Sequence, residues 1–243
     1  MATSPLRRHD GRKADQLRPV RFQRNFVPSA GGSVLVSFGS TRVICTAMFE
    51  TGVPSWRKGS GEGWVSAEYG MLPGSTPQRK KRDSGKPDGR SVEIQRLVGR
   101  ALRSVVDTKL LGENCVWLDC DVLQADGGTR TASITGAYVA LYDCLRQAVK
   151  AKKIAQMPIT NQIAAISVGM VNGQAVLDLD YVEDVAAQVD MNVAMLAGDK
   201  FVELQGTAEH GAFTKSEFLQ MLERAEKGIR ELHSLQNKAL RLK

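Results

Sequence analysis

Arg90, the run Gly128-Thr129-Arg130 and the acidic residues Asp184 and Asp190 are the positions whose types and spacing fit chemistry on phosphates. Guanidiniums hold anions through charge-assisted hydrogen bonds, and closely spaced carboxylates hold divalent cations. Gly127 and Gly128 precede Thr129 and Arg130 where a strand-like run gives way to a helical one. A helix start leaves backbone N–H groups free and carries the positive end of the helix dipole, so this turn is a small anion cradle to which Arg130 adds a fork. It matches neither the Walker loop nor the dinucleotide fingerprint, and taken alone it reads equally as a plain strand-to-helix turn. Alone, Arg90 reads as a surface arginine, and Asp184 and Asp190 as loop and cap residues. Together they supply what transfer to inorganic phosphate requires: guanidiniums that hold one anion against another, and carboxylates that hold a cation.

The charge pattern sharpens this reading. The chain of 243 residues carries +7, of which residues 1–25 hold +5 and residues 79–90 hold +4. The second stretch, with Arg79, Lys80, Lys81 and Arg82 among glycine, proline and serine, is too polar to pack and suits salt-dependent contact with phosphates, or else is a solvated loop. Between Lys153 and Lys200 there is no Lys or Arg but six acids: Asp178, Asp180, Glu183, Asp184, Asp190 and Asp199. Such a cluster must find solvent, a metal, or cations from elsewhere in the fold.

A composition of 42% hydrophobic and 24% charged residues excludes disorder and collagen. The absence of a membrane-length apolar run or a signal-like leader gives cytoplasm as the expected location. Four cysteines (Cys45, Cys115, Cys120, Cys144) sit in apolar segments without a Cys-x-x-Cys pair, and are expected as reduced core thiols. None of the three histidines lies in a nucleophile setting, which argues against a His-dependent hydrolase.

The elements that must position these residues follow from periodicity. Residues 33–39 and 42–50 predict a hairpin and 64–70 a further strand; an apolar stripe through Ile94, Leu97, Val98, Ala101, Leu102 and Val105 predicts a helix from Arg90 or just after it. Residues 116–128 predict a strand running into the Gly-Gly turn, and Ile134, Tyr138, Leu141 and Leu145 mark the helix behind it. A hairpin turns at Asn172-Gly173, another spans 191–207, and Thr214 with Glu217 forms a capping box for a last helix. The break near 151–160 predicts two α+β halves, 1–155 and 156–243.

The runs GWVSAEYGMLP (63–73), GRSVEIQRLVGRALRSVVD (89–107), LDCDVLQADGGTRTASITGAYVAL (118–141) and DLDYVEDVAAQVDMNVAM (178–195) closely resemble ribonuclease PH. The resemblance implies a ribosomal-protein-like β-α-β-α domain followed by a smaller α/β domain, assembled as a homohexameric ring of dimers. It also implies phosphate-dependent 3′-to-5′ trimming of tRNA precursors with Mg²⁺. Family phosphate-binding positions carry over onto Arg90, Gly128, Thr129 and Arg130, and the acidic catalytic and Mg²⁺ positions onto Asp184 and Asp190; Arg130 is counted with the catalytic set. Gly74 departs from the pattern, since family members often have Arg after Pro73, and the loop from Arg79 to Arg90 is short. Two rivals follow: an inactive RNA-binding subunit of an exosome-like ring, which would be expected to lack some of Arg90, Arg130, Asp184 and Asp190, and a small-molecule kinase, which would need an ATP loop that is not present.

Overall fold

Alternation of apolar and polar residues builds the first sheet of the computed structural model, which describes residues 8–82, 88–209 and 211–242. Strands β1 (Val20–Arg24), β2 (Gly32–Phe38), β3 (Thr41–Thr51), β4 (Trp64–Met71) and β5 (Asn114–Gln124) lie in the order β1-β2-β3-β5-β4. All neighbours run antiparallel except β4 and β5, which are parallel. Parallel neighbours need a crossover. Here it is made by α1 (Gly89–Arg103) and the short α2 (Thr108–Leu111). Helix α1 buries Ile94, Leu97, Val98, Ala101 and Leu102, the predicted stripe, and starts one residue before Arg90 because Asp88 caps it, accepting from the Ser91 N–H at 2.6 Å.

Helix α3 (Thr129–Lys150) follows β5 directly and is buried on almost every side. A helix apolar all round belongs between two layers. One side meets β2 and β3, so closely that a Cβ on Gly136 would stand 2.5 Å from Val36 Cγ1. The other meets β6 (Ile163–Val171), where the Thr135 hydroxyl donates to the Ala165 carbonyl and accepts from its N–H, both at 3.0 Å. The second sheet, β7-β6-β8-β9, adds β7 (Gln174–Leu177), β8 (Val189–Leu196) and β9 (Lys200–Ala208), all antiparallel. Both hairpins predicted for this half form, as does the β2–β3 hairpin of the first sheet. Asn172 and Gly173 turn the β6–β7 hairpin with φ of 50° and 74°, as a type I′ turn requires. Helix α5 (Lys215–Leu240) packs beside α3 against β6 and β7, where the Gln236 amide donates to the Thr135 and Ile163 carbonyls at 2.9 and 3.0 Å, with the Thr214–Glu217 capping box in place.

Some expectations shift. The strand predicted over 116–128 ends at Gln124, because Asp126 to Gly128 form the turn. The predictions also missed β1 and the six-residue helix α4 (Tyr181–Ala186). All four cysteines are buried and free of disulfides. No helix among the described residues is long and apolar enough to cross a membrane.

Candidate active site

The anion turn is built by backbone geometry that only glycine tolerates. Gly127 and Gly128 have φ of 72° and 66°, and a Cβ on Gly127 would lie 2.7 Å from the Leu179 carbonyl oxygen and the Asp180 carbonyl carbon. That close approach joins the turn to the acidic segment. Thr41 pins it from the sheet, donating to the Gly127 carbonyl at 2.7 Å and accepting from the Asp126 N–H at 2.9 Å. Gly128 is the N-cap of α3 and offers no side chain, so the N–H groups of the first turn stay uncapped.

Thr129 and Arg130 open α3 against different neighbours. The buried Thr129 hydroxyl is 2.8 Å from the Tyr69 hydroxyl, which fixes its direction, and burial raises the Tyr69 pKa above 10 despite the Thr129 contact. Arg130 donates to Gln205 Oε1 at 2.7 Å and lies 3.5 Å from Glu93 Oε1, while Gln205 donates to the same Glu93 oxygen at 2.9 Å. This triangle joins the start of α3 to α1 and β9. Arg90 is exposed at the N-terminus of α1, near enough for its charge to act on Tyr69, Asp184 and Asp190.

Five of the six acids divide into two groups, while Asp199 pairs with Arg230 at 3.1 Å. Asp178, Asp180 and Glu183 receive arginines from the N-terminal segment, about 170 residues away in sequence. Arg8 grips Glu183 with both ends of its guanidinium at 2.6 and 2.5 Å. Arg12 reaches Glu183 at 3.3 Å and Asp180 at 3.5 Å, and Arg18 is bidentate to Asp178. Arg18 also donates to the Asp126 carbonyl at 2.5 Å, so one side chain holds both the acidic segment and the anion turn. Asp180 and Glu183 form a capping box at the start of α4.

Asp184 and Asp190 find no such partner among the described residues. Asp184 is the next residue of α4, and Asp190 stands on β8 opposite Gly169 and Thr207. Desolvation is the largest cause raising both carboxyls; Asp190 adds to Asp184, Glu209 adds to both, and Arg130 and Arg90 offset part of it. Two carboxylates held together against their own preference, without a cation, are suited to receiving one. Hard oxygen donors fit Mg²⁺. The structure thus places Asp184 and Asp190 within reach of the charges of Arg90 and of Arg130, which follows Gly128 and Thr129 at the start of α3.

The basic loop is a partial exception. Arg79, Lys81 and Arg82 are exposed, whereas Lys80 is drawn to the α1 cap, its Nζ 2.6 Å from Asp88 Oδ2. The same contact, with the Ser91 N–H, lowers the Asp88 pKa to about 2. Sequence reasoning missed Tyr69, Glu93, Gln205 and Glu209. Glu93 alone carried a signal, one helical turn beyond Arg90; the others arrive by folding.

The model described as the 3′ exoribonuclease family, domain 1, matches residues 16–147, and its domain 2 matches 161–228. The chain belongs to the 3′ exoribonuclease family. A ribonuclease PH of Bifidobacterium longum is 56% identical over 239 residues, spanning 97% of this chain and 96% of the relative. Among solved structures, an Archaeoglobus fulgidus exosome with RNA bound to the active site aligns with a TM-score of 0.81 at 23% identity, over 93% of this chain and 91% of that one. Rice (Oryza sativa) Rrp46 aligns with a TM-score of 0.80 at 17% identity, over 96% and 100%. These likenesses establish the fold. The resemblance to ribonuclease PH and the two-domain α+β architecture are both borne out.

Proposed function

We propose that this chain is a phosphate-dependent 3′-to-5′ exoribonuclease that trims tRNA precursors, with inorganic phosphate received by Arg90, Gly128, Thr129 and Arg130 and Mg²⁺ held by Asp184 and Asp190. The observation that carries the assignment of residues is that an uncapped helix N-terminus bearing Arg130 lies, with Arg90, close enough for both charges to act on two carboxylates that have no ion pair among the described residues.

The chemical difficulty is bringing an anionic phosphate up to an anionic phosphodiester. Arg90 and Arg130 offset that repulsion, and the Glu93–Gln205 pair holds Arg130 so that orientation is set before substrate arrives. Tyr69 directs the Thr129 hydroxyl, and the N–H groups of α3 face the incoming oxygens. A phosphate oxygen attacks the last phosphodiester phosphorus, the bond to the neighbouring 3′ oxygen breaks, and a nucleoside diphosphate leaves behind a 3′ hydroxyl. When bound, Mg²⁺ supplies stabilisation of the charge developing on the leaving oxygen. No protein nucleophile enters. One bond to phosphorus replaces another of comparable energy, so the reaction runs backwards when diphosphates are abundant.

Arg79, Lys80, Lys81 and Arg82 serve as RNA contacts in this reading, six copies assemble as a ring of dimers, and the enzyme works in the cytoplasm. Its two domains divide as 1–155 and 156–243, which the separate family matches on either side of 148–160 support. An inactive ring subunit is disfavoured by the presence of Arg90, Arg130, Asp184 and Asp190 together. Purified protein incubated with a short 3′-extended RNA should release nucleoside diphosphates only when inorganic phosphate is added. Monophosphates appearing at the same rate without phosphate would overturn the reading.

A further inference from the structure

Helix α1 leaves the active site carrying charge that the proposed chemistry does not use. Beyond Glu93, the residue tied to Arg130, the positions that share its face are Arg96, Arg100 and Arg103. At about 1.5 Å per residue the last of these lies roughly 20 Å from Arg90. They border an open groove of about 340 Å³ along β4, with Trp64 on its wall. Trp56 stands edge-on to Trp64 with ring centroids 5.0 Å apart and is 63% exposed. Arg103 stacks over Trp64 at 4.3 Å from the ring centre, and Arg57 approaches the same ring at 4.9 Å.

Local acid neutralises only part of this groove. Arg57 pairs with Glu62 and Arg100 with Glu203, but Arg96 has no ion pair among the described residues and Arg103 donates to the Val65 carbonyl. Burial and the charges of Arg100 and Arg57 together lower the Arg103 pKa, a sign of crowded positive charge. An exposed indole beside several guanidiniums is a poor surface for water and for acidic peptide alone. An exposed indole, here Trp56, beside phosphate-sized cationic sites is the combination that holds single-stranded nucleic acid, through base stacking and backbone contacts. Continuity decides the occupant further: the groove opens at Gln95 and Arg96, within one helical turn of Glu93, which is tied to Arg130, so a strand whose 3′ end sits at Arg130 would pass along it.

We propose that the α1–β4 groove, with Arg96 and Arg100 on its flank and Trp56 and Trp64 at its far end, is a second binding site that takes the nucleotides upstream of the scissile 3′ end of single-stranded RNA. It rests on the phosphorolytic reading for its role and extends it: Arg79 to Arg82 are not the sole grip, and substrate length is sensed along α1.

Two measurements separate its fate from that of the function. Titration of an unstructured RNA of about 20 nucleotides without phosphate should quench the tryptophan fluorescence of the wild type. Trp56→Ala should bind that RNA about ten-fold more weakly, and Arg96→Ala should lower the slope of log K against log salt by roughly 0.7. With phosphate present, both variants should raise the KM for the long RNA while leaving kcat/KM for a trinucleotide, too short to reach the tryptophans, unchanged within two-fold. Equal losses on both lengths, unchanged binding of the long RNA, or a changed native mass of either variant would overturn the proposal, the last by making this face a subunit contact. A wild type that binds and quenches but releases no diphosphates would defeat the phosphorolytic reading and leave the binding site standing.

Discussion

Glu183 and Asp184 are neighbours in α4 that belong to two different electrostatic regimes. Glu183, with Asp178 and Asp180, meets Arg8, Arg12 and Arg18 at 2.5 to 3.6 Å, and the paired side chains are 0 to 7% exposed. Asp184, with Asp190, feels the charges of Arg90 and Arg130 without pairing to either among the described residues. The residue types are the same and the outcomes differ. Where arginine and carboxylate close on one another the charges are consumed as structure, and where the fold keeps them apart each remains free for a ligand of opposite sign. The first cluster also builds the second: Arg8 and Arg12 fix the capping box that starts α4, and Arg18 ties Asp178 to the anion turn.

The largest expected effect comes from breaking the closed cluster. Arg8→Ala leaves Glu183 buried without its bidentate partner, which costs about 3 to 5 kcal/mol and lowers the Tm by something on the order of 10 °C. Thermal unfolding followed by circular dichroism measures it. A loss under about 1 kcal/mol would show that Arg12 alone suffices, and that the two clusters are less different than their geometry says.

In the open cluster the effect moves from stability to chemistry. Arg90→Ala and Arg130→Ala each remove a charge-assisted contact worth about 1.5 to 3 kcal/mol, so the KM for phosphate should rise roughly ten- to hundred-fold. RNA affinity should largely persist, and the Tm should barely move, because Arg130 is tied only to a half-exposed glutamate and an amide. A variant that loses RNA affinity with unchanged phosphate dependence would place these arginines on RNA instead.

Asp184→Asn and Asp190→Asn probe the same contrast with a smaller stability change of opposite sign. A carboxyl raised in the native state above its ordinary 3.8 favours the protonated form there, so without metal its contribution to stability is fully present at low pH and is lost as pH rises through the raised value. Neutral amides remove that penalty. Each variant should therefore melt slightly higher than the wild type at pH 7 without Mg²⁺, while losing Mg²⁺-dependent cleavage and the Tm increase that Mg²⁺ gives the wild type. Full activity in both variants would put the metal elsewhere.

How much of this was legible in the sequence depends on range. The stripe of α1, the strand β5, the Gly-Gly turn and the start of α3 are local patterns, and the cradle residues were found because they lie on consecutive positions. Asp184 and Asp190 stood out through an excess of acid without base, but that excess marked six residues alike. Which acids are neutralised depends on arginines some 170 residues upstream, and no spacing rule carries that information. Helix α4 is too short for periodicity, although Asp180 and Glu183 spell a capping signal. Tyr69, Gln205 and Glu209 enter the site only because the parallel pairing of β4 with β5 and the second sheet bring them there.

The smallest effect concerns Gly74, where members of the family often have Arg. Nothing lies within 4 Å of a Cβ built there, and Gly74 is not among the residues with positive φ, so Gly74→Arg meets neither a clash nor backbone strain. Such an exposed substitution should leave stability within about 0.5 kcal/mol. The turn it sits on is anchored to the active site, since the Ala125 N–H donates to the Ser75 carbonyl at 2.8 Å, while Arg79, Lys81 and Arg82 follow it without ion partners among the described residues. An added guanidinium here therefore joins an existing open set of cations rather than a closed one. It should tighten RNA binding a few-fold and steepen the salt slope by roughly 0.7, the signature of one further phosphate contact on a single strand. Fluorescence anisotropy with a labelled RNA across a salt series reads both quantities. An unchanged slope would mean that this turn faces away from RNA, and that Arg79, Lys81 and Arg82 are solvated charges rather than part of the open cluster's reach.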